Sequence, residues 1–135
     1  MKKAGQPARK KPHLTIVPGE GVGPIRFGMK RKDVRAAMAK IKLKLNYSHK
    51  AMDYFGRENA VQVEFIRGTA SFIGIAAGGL RFTSSIHDVE PFDTPARALF
   101  RLLAKHDGAK GAKYNAAEHL FRNTIVTLYD ADEQY

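Results

Sequence analysis

The stretch Ala60-Val61-Gln62-Val63-Glu64-Phe65-Ile66-Arg67-Gly68-Thr69-Ala70-Ser71-Phe72-Ile73-Gly74-Ile75 decides the fold class. Val61, Val63 and Phe65 alternate with Gln62 and Glu64, the two-residue period of a strand with one face buried and the other in water. Arg67-Gly68-Thr69 breaks the pattern with a tight connection and an apolar run resumes at once, so the pair reads as a β-hairpin. Residues 72–77 are apolar on both parities, which predicts a central strand. Residues 51–55 supply a preceding strand; Gly78-Gly79 and residues 80–86 supply a turn and a further strand. Consecutive short strands joined by tight turns predict an antiparallel sheet.

Working outward, residues 30–41 place Val34, Ala37, Met38 and Ile41 at i, i+3, i+4 and i+7, one apolar stripe of a helix. A second helix has Thr94 as its predicted N-cap, Pro95 at the first helical position and Gly108 at its end, with Ala96, Leu99, Phe100 and Leu103 as its buried stripe. Upstream, residues 14–17 and 25–27 read as short extended pieces around the turn-rich loop 18–24, with its three glycines and two prolines. Downstream, residues 118–121 and 124–129 read as a last hairpin around Arg122-Asn123, followed by an acidic tail, 130–135. The reading is a single α+β domain over 13–135: an antiparallel sheet backed by two helices. Residues 2–12 lack large apolar anchors, so 1–12 is expected to be a flexible, disordered basic arm.

The helical segments also match at a shift of 65: Phe27 with Phe92, Val34 with Leu99, Met38 with Leu103, Ala39-Lys40 with Ala104-Lys105. Any two amphipathic helices share a stripe, so the match fits either an accident of periodicity or two similar halves joined into one curved antiparallel sheet. A sheet backed by helices leaves one face open to a macromolecule.

The net charge of +10 is carried by the first 42 residues, five positive charges from residues 1–12 and five from 13–42, while the remainder is neutral. Lys30, Arg31, Lys32 and Arg35 crowd the start of the first helix, where the macrodipole disfavours cations by a few tenths of a kcal/mol each, about 0.3 or more. That local cost points to a use for the basic turn. Arg26, Lys30, Arg31, Lys32 and Arg35 are therefore the candidate partner-binding residues, facing an acidic protein or a nucleic acid.

Catalytic and cofactor signatures are missing. Pro24 occupies the place of the third glycine of a dinucleotide fingerprint, and Met29 with no following Ser or Thr spoils a P-loop. His13, His49, His87, His106 and His119 form no i, i+4 pair, and there is no cysteine, so neither a metal nor another cofactor is expected. Ser48-His49 and Ser84-Ser85-Ile86-His87 place hydroxyls near imidazoles without a nucleophile elbow. Asp53, Glu58 and Glu64 read as solvent-facing strand and turn residues. Tyr54, Phe55, Phe65, Phe72 and Phe82 lie on predicted strands, where core packing accounts for most of them; no RNP-like run is present. No apolar run approaches the roughly 18 residues of a membrane span. The chain is read as a soluble, cytoplasmic protein and not an enzyme.

Gly21-Val22-Gly23-Pro24-Ile25-Arg26-Phe27-Gly28-Met29, followed by Asp33-Val34 on a charged helix, resembles a helix-opening motif of small bacterial proteins, including immunity-type proteins of interbacterial toxin systems. Asp53-Tyr54-Phe55 and Val61-Gln62-Val63-Glu64-Phe65 are similar to the aromatic and alternating strand pair of the same proteins. The likeness spans about residues 17–75 and, more faintly, 92–129. The same motif opens helices in envelope lipoproteins. This chain departs from it in the basic residues that stand where a Ser or Thr cap is usual. The resemblance implies a non-enzymatic binding protein that neutralises a toxin by protein contact; the alternative is a basic nucleic-acid-binding module.

Overall fold

Glycines and prolines keep the first structured elements short. The structure, a computed structural model, describes residues 11–76, 82–108, 113–114, 118–121 and 126–129. β1 (His13–Val17), β2 (Gly21–Val22) and β3 (Ile25–Arg26) form an antiparallel ribbon. Gly21 is essential to it: a Cβ there would sit 2.0 Å from the Ile25 carbonyl oxygen. The expected arm lies outside the described residues up to residue 10, and the Pro12 carbonyl already accepts a hydrogen bond from the Thr83 N–H at 3.0 Å.

α1 (Arg31–Lys40) buries Val34 and Met38, the heart of the predicted stripe. Lys30 precedes it without any side-chain cap. The hairpin turn satisfies the first amide of the helix instead, because the Gly68 carbonyl accepts from the Arg31 N–H at 3.1 Å. Next come β4 (Leu45–His49), β5 (Met52–Phe55), a 3₁₀ turn (Arg57–Asn59), β6 (Val61–Ile66) and β7 (Thr69–Ile75). The four strands form an antiparallel meander in the order β4-β5-β6-β7. Arg67 and Gly68, at φ 54° and 79°, make the two-residue turn between β6 and β7.

Two expectations are corrected here, and one strand is added. β7 lies at the margin of the described sheet and not at its centre. Phe72, Ile73 and Ile75 are half-buried, and the backbone of Gly28 and Met29 bonds to Ala70 at its start. β4 was not foreseen: it is five residues long, all of them exposed, and Leu45 and Tyr47 are its large apolar side chains. Thr94 is not the N-cap of α2 (Ala96–Asp107): its hydroxyl turns back to the Glu90 carbonyl at 2.7 Å, and Pro95 takes the N-cap place. Gly108 ends α2 in the left-handed region at φ 74°, as expected.

The architecture is α+β, and the described residues form two four-stranded sheets and a hairpin in place of the single curved sheet. β8 (Thr83–Ile86) pairs with β1 in parallel, His13 against Thr83. Parallel strands need a long crossover, and here everything from β2 to β7 serves as one. β9 (Glu118–Phe121) and β10 (Val126–Tyr129) pair antiparallel, as the last hairpin reading requires. The Gly78-Gly79 turn, Arg122-Asn123 and the acidic tail fall outside the described residues. Element positions keep the half-chain shift: α1 and α2 start 65 residues apart, β5 and β9 66, β6 and β10 65.

Each helix has its own core. Val34 and Met38 pack with Leu14, Ile25, Phe55, Val61, Val63 and Phe65. Leu99, Phe100 and Leu103 of α2 pack with Ile86, and Ile16 of β1 touches both clusters. Among the described residues no helix is long and apolar enough to cross a membrane.

Candidate functional site

Asp53 is the residue on which the basic turn is built. Along β5 it shares inward parity with Phe55 and is fully buried, so the solvent-facing reading of Asp53 is wrong. Arg31 and Arg35 stand one turn apart on the flank of α1 that overlooks it. Arg31 reaches Asp53 Oδ1 through Nη2 at 2.6 Å, and Arg35 reaches Oδ2 through Nε at 2.7 Å. Arg35 Nη2 donates to Oδ1 at 2.9 Å, and the Ser48 hydroxyl, from the paired position on β4, donates to the same oxygen at 2.8 Å. The Arg31 guanidinium also lies over the Phe65 ring, 5.0 Å from its centroid. Burial pushes the Asp53 carboxyl up, but hydrogen bonds from Arg35, Arg31 and Ser48 outweigh it and hold the group well below the usual carboxylate range. The same carboxylate holds the Arg35 guanidinium above its usual value.

The candidate residues therefore divide. Arg31 and Arg35 meet at Asp53. Arg26 Nη1 donates to the carbonyls of Gly23 and Ile25 at 2.7 and 3.0 Å, bracing its own loop. Lys30 and Lys32 are exposed and join neither group. The basic helix start thus has a structural counterweight that the sequence reading missed. The available signal was parity: Asp53 and Phe55 lie on the same side of a strand.

Among the described residues the other face of the β4–β7 sheet is open, its side chains half-buried or exposed. Its outward register rows are His49, Met52, Glu64 and Phe72, then Tyr47, Tyr54, Gln62 and Gly74. Tyr47, half-exposed at 51%, lies 5.6 Å from Tyr54 and stacks with His49 at 6.4 Å. Gln62 Nε2 donates to Met52 Sδ at 3.3 Å and to Glu64 Oε2 at 3.3 Å. Phe72 lies across the bare Gly74, where a Cβ would meet its ring at 3.0 Å. An open depression of about 350 Å³ runs past Asn59, Gln62, Glu64 and Phe72. No Lys or Arg occurs in any of the four strands. Exposed Lys50, Arg57 and Arg67 occupy the turns around them. Phe55, Phe65 and Phe82 are core residues, whereas Tyr54 and Phe72 are half-buried.

The remaining histidines and hydroxyls pair differently from their sequence neighbours. His13 joins Thr83 and Ser85 across the parallel strands, at 2.6 and 2.9 Å. Ser84 donates to Glu90 at 2.7 Å. His87 stacks face to face on His106, with centroids 3.7 Å apart. Burial and the neighbouring His106 push His87 down, with Asp88 opposing them. Among the described residues no three His, Asp or Glu side chains gather as a metal site would require. Compared with known proteins, the chain matches no family model, no curated protein and no solved structure at a significant level.

Proposed function

We propose that this chain is a non-enzymatic binding protein that docks an acidic protein partner on the open face of the β4–β7 sheet, in the manner of an immunity protein covering a toxin. The observation that carries the reading is the distribution of residue types on that face: Tyr47, Met52, Tyr54 and Phe72 stand beside Gln62 and Glu64, and among the described residues the cations stand at the periphery. Aromatic residues and a methionine on one face with charge at its rim are the composition of a protein interface. A single-strand nucleic-acid platform interleaves stacking aromatics with cations along the phosphate track. The four strands hold no Lys or Arg to follow that track. Lys30, Lys32, Lys50, Arg57 and Arg67 add steering toward an acidic partner, which acts mainly on the association rate. The helix-opening motif supports a toxin as that partner.

The test is quantitative binding to the partner isolated from source cells after nuclease digestion. Tyr54→Ala is expected to weaken the complex by about 10-fold or more, as truncating a central aromatic does. Unchanged affinity, or a complex destroyed by nuclease, overturns the reading.

A further inference from the structure

We infer that Arg31 and Arg35, besides holding Asp53, form a receptor for one side-chain carboxylate of an acidic protein segment. Two guanidiniums share a single buried carboxylate, and the low proton affinity of Asp53 keeps that carboxylate ionised, so the cluster carries one positive charge in excess. The hydrogen bonds to Asp53, Ser48 and Met52 use Nε and Nη2 of Arg31, and those to Asp53 and Ser48 use Nε and Nη2 of Arg35. The Nη1 groups take no part in them. No buried side-chain nitrogen or oxygen among the described residues lacks a partner, so both Nη1 groups face water. Side-chain exposures of 29% for Arg31 and 40% for Arg35 agree with this.

The cluster thus presents two fixed donor groups whose orientation Asp53, Ser48 and the Phe65 ring have already set. Planar guanidiniums match planar carboxylates, and prior orientation reduces the entropy lost on binding. Charge selects the ligand. One carboxylate neutralises the excess, whereas a phosphate dianion would leave net negative charge beside Asp53. The site lies between α1 and β4 with both guanidinium side chains partly exposed, so a free small acid has little to hold it. A carboxylate delivered by a polypeptide gains from its tether and from the further contacts its own segment makes. This rests on the protein-partner reading only for the source of the carboxylate; the surface is not the open sheet face.

The experiment needs no natural partner. The Nε–Hε signals of ¹⁵N-labelled protein are followed while an acetylated Asp-Glu-Asp-Glu peptide, acetate or inorganic phosphate is added at constant ionic strength. The peptide is expected to shift the Arg31 and Arg35 signals saturably, leaving Arg97 and Arg101 of α2 unmoved, and to bind about 10-fold tighter than acetate or phosphate. Arg35→Lys keeps the charge and loses the fork, and should weaken the peptide by about 10-fold. Lys32→Gln removes a bystander charge and should change affinity by less than about 2-fold. Uniform, unsaturating drift at every exposed arginine, or phosphate binding better than the peptide, overturns the inference. The wild-type titration decides even if Arg35→Lys does not fold. Because it involves no sheet-face residue, its failure leaves the open-face reading standing.

Discussion

Replacing Asp53 is the perturbation whose size the structure sets most closely. The carboxylate is fully buried and takes hydrogen bonds from Arg31, Arg35 and Ser48. Removing one partner of a fully buried ion pair costs about 3–5 kcal/mol, because a charge stays behind without compensation. Here the charges left behind are only partly buried and can turn toward water, so Asp53→Ala should lose about 2–3 kcal/mol. Asp53→Asn, which fills the same volume and still accepts hydrogen bonds, should lose less, about 1–2 kcal/mol. Urea unfolding across a pH series reads both size and cause. The folded-state value of Asp53 is depressed, so its contribution is complete above the unfolded value of about 3.9 and is lost as pH falls below it. The gap between wild type and Asp53→Asn should therefore be full at pH 7 and narrow steadily in acid. A variant within about 0.5 kcal/mol of wild type at pH 7, the range of featureless surface changes, would refute the reasoning. So would a gap that stays constant into acid.

The core assignments and the histidine stack give further tests. Phe65→Ala and Leu103→Ala, each in a different cluster, should each cost about 2–5 kcal/mol in denaturant unfolding, and a near-neutral value at either would deny that cluster. His87 has its value depressed by burial and by His106, so its unfolded form takes up protons first: stability should be full above the ordinary value of about 6.5 and decline as pH falls below it. His87→Gln should flatten that part of the pH profile, and an unchanged slope would remove the stack from the account.

Local periodicity made much of this fold legible. Val34 and Met38, then Leu99, Phe100 and Leu103, announce the buried faces of both helices, and Arg67-Gly68 announces the β6–β7 turn. What escaped depends on contacts distant in sequence. The parallel pairing of β1 with β8 joins His13 to Thr83, and nothing local marks a strand as parallel. β4 has every residue exposed, and the alternation of Leu45 and Tyr47 with Asn46 and Ser48 is too short to announce a strand. At the candidate site, the cations of α1 were plain in the sequence, but their link to Asp53 runs across 18 and 22 residues. Parity with Phe55 alone could have turned Asp53 inward, and a carboxylate argues for water until its partners are known. The open sheet face was foreseen as a surface. That its strands lack cations follows only once the pairing register is known.

The central claim is that the open face of the β4–β7 sheet meets a protein. Its most direct test is photo-crosslinking in source cells from a benzophenone amino acid placed at Tyr54, with Arg101 on the exposed side of α2 as the control position. The account predicts one discrete protein adduct from position 54 that survives nuclease treatment and does not form from position 101. Adducts to RNA or DNA, or the same pattern from both positions, would contradict it.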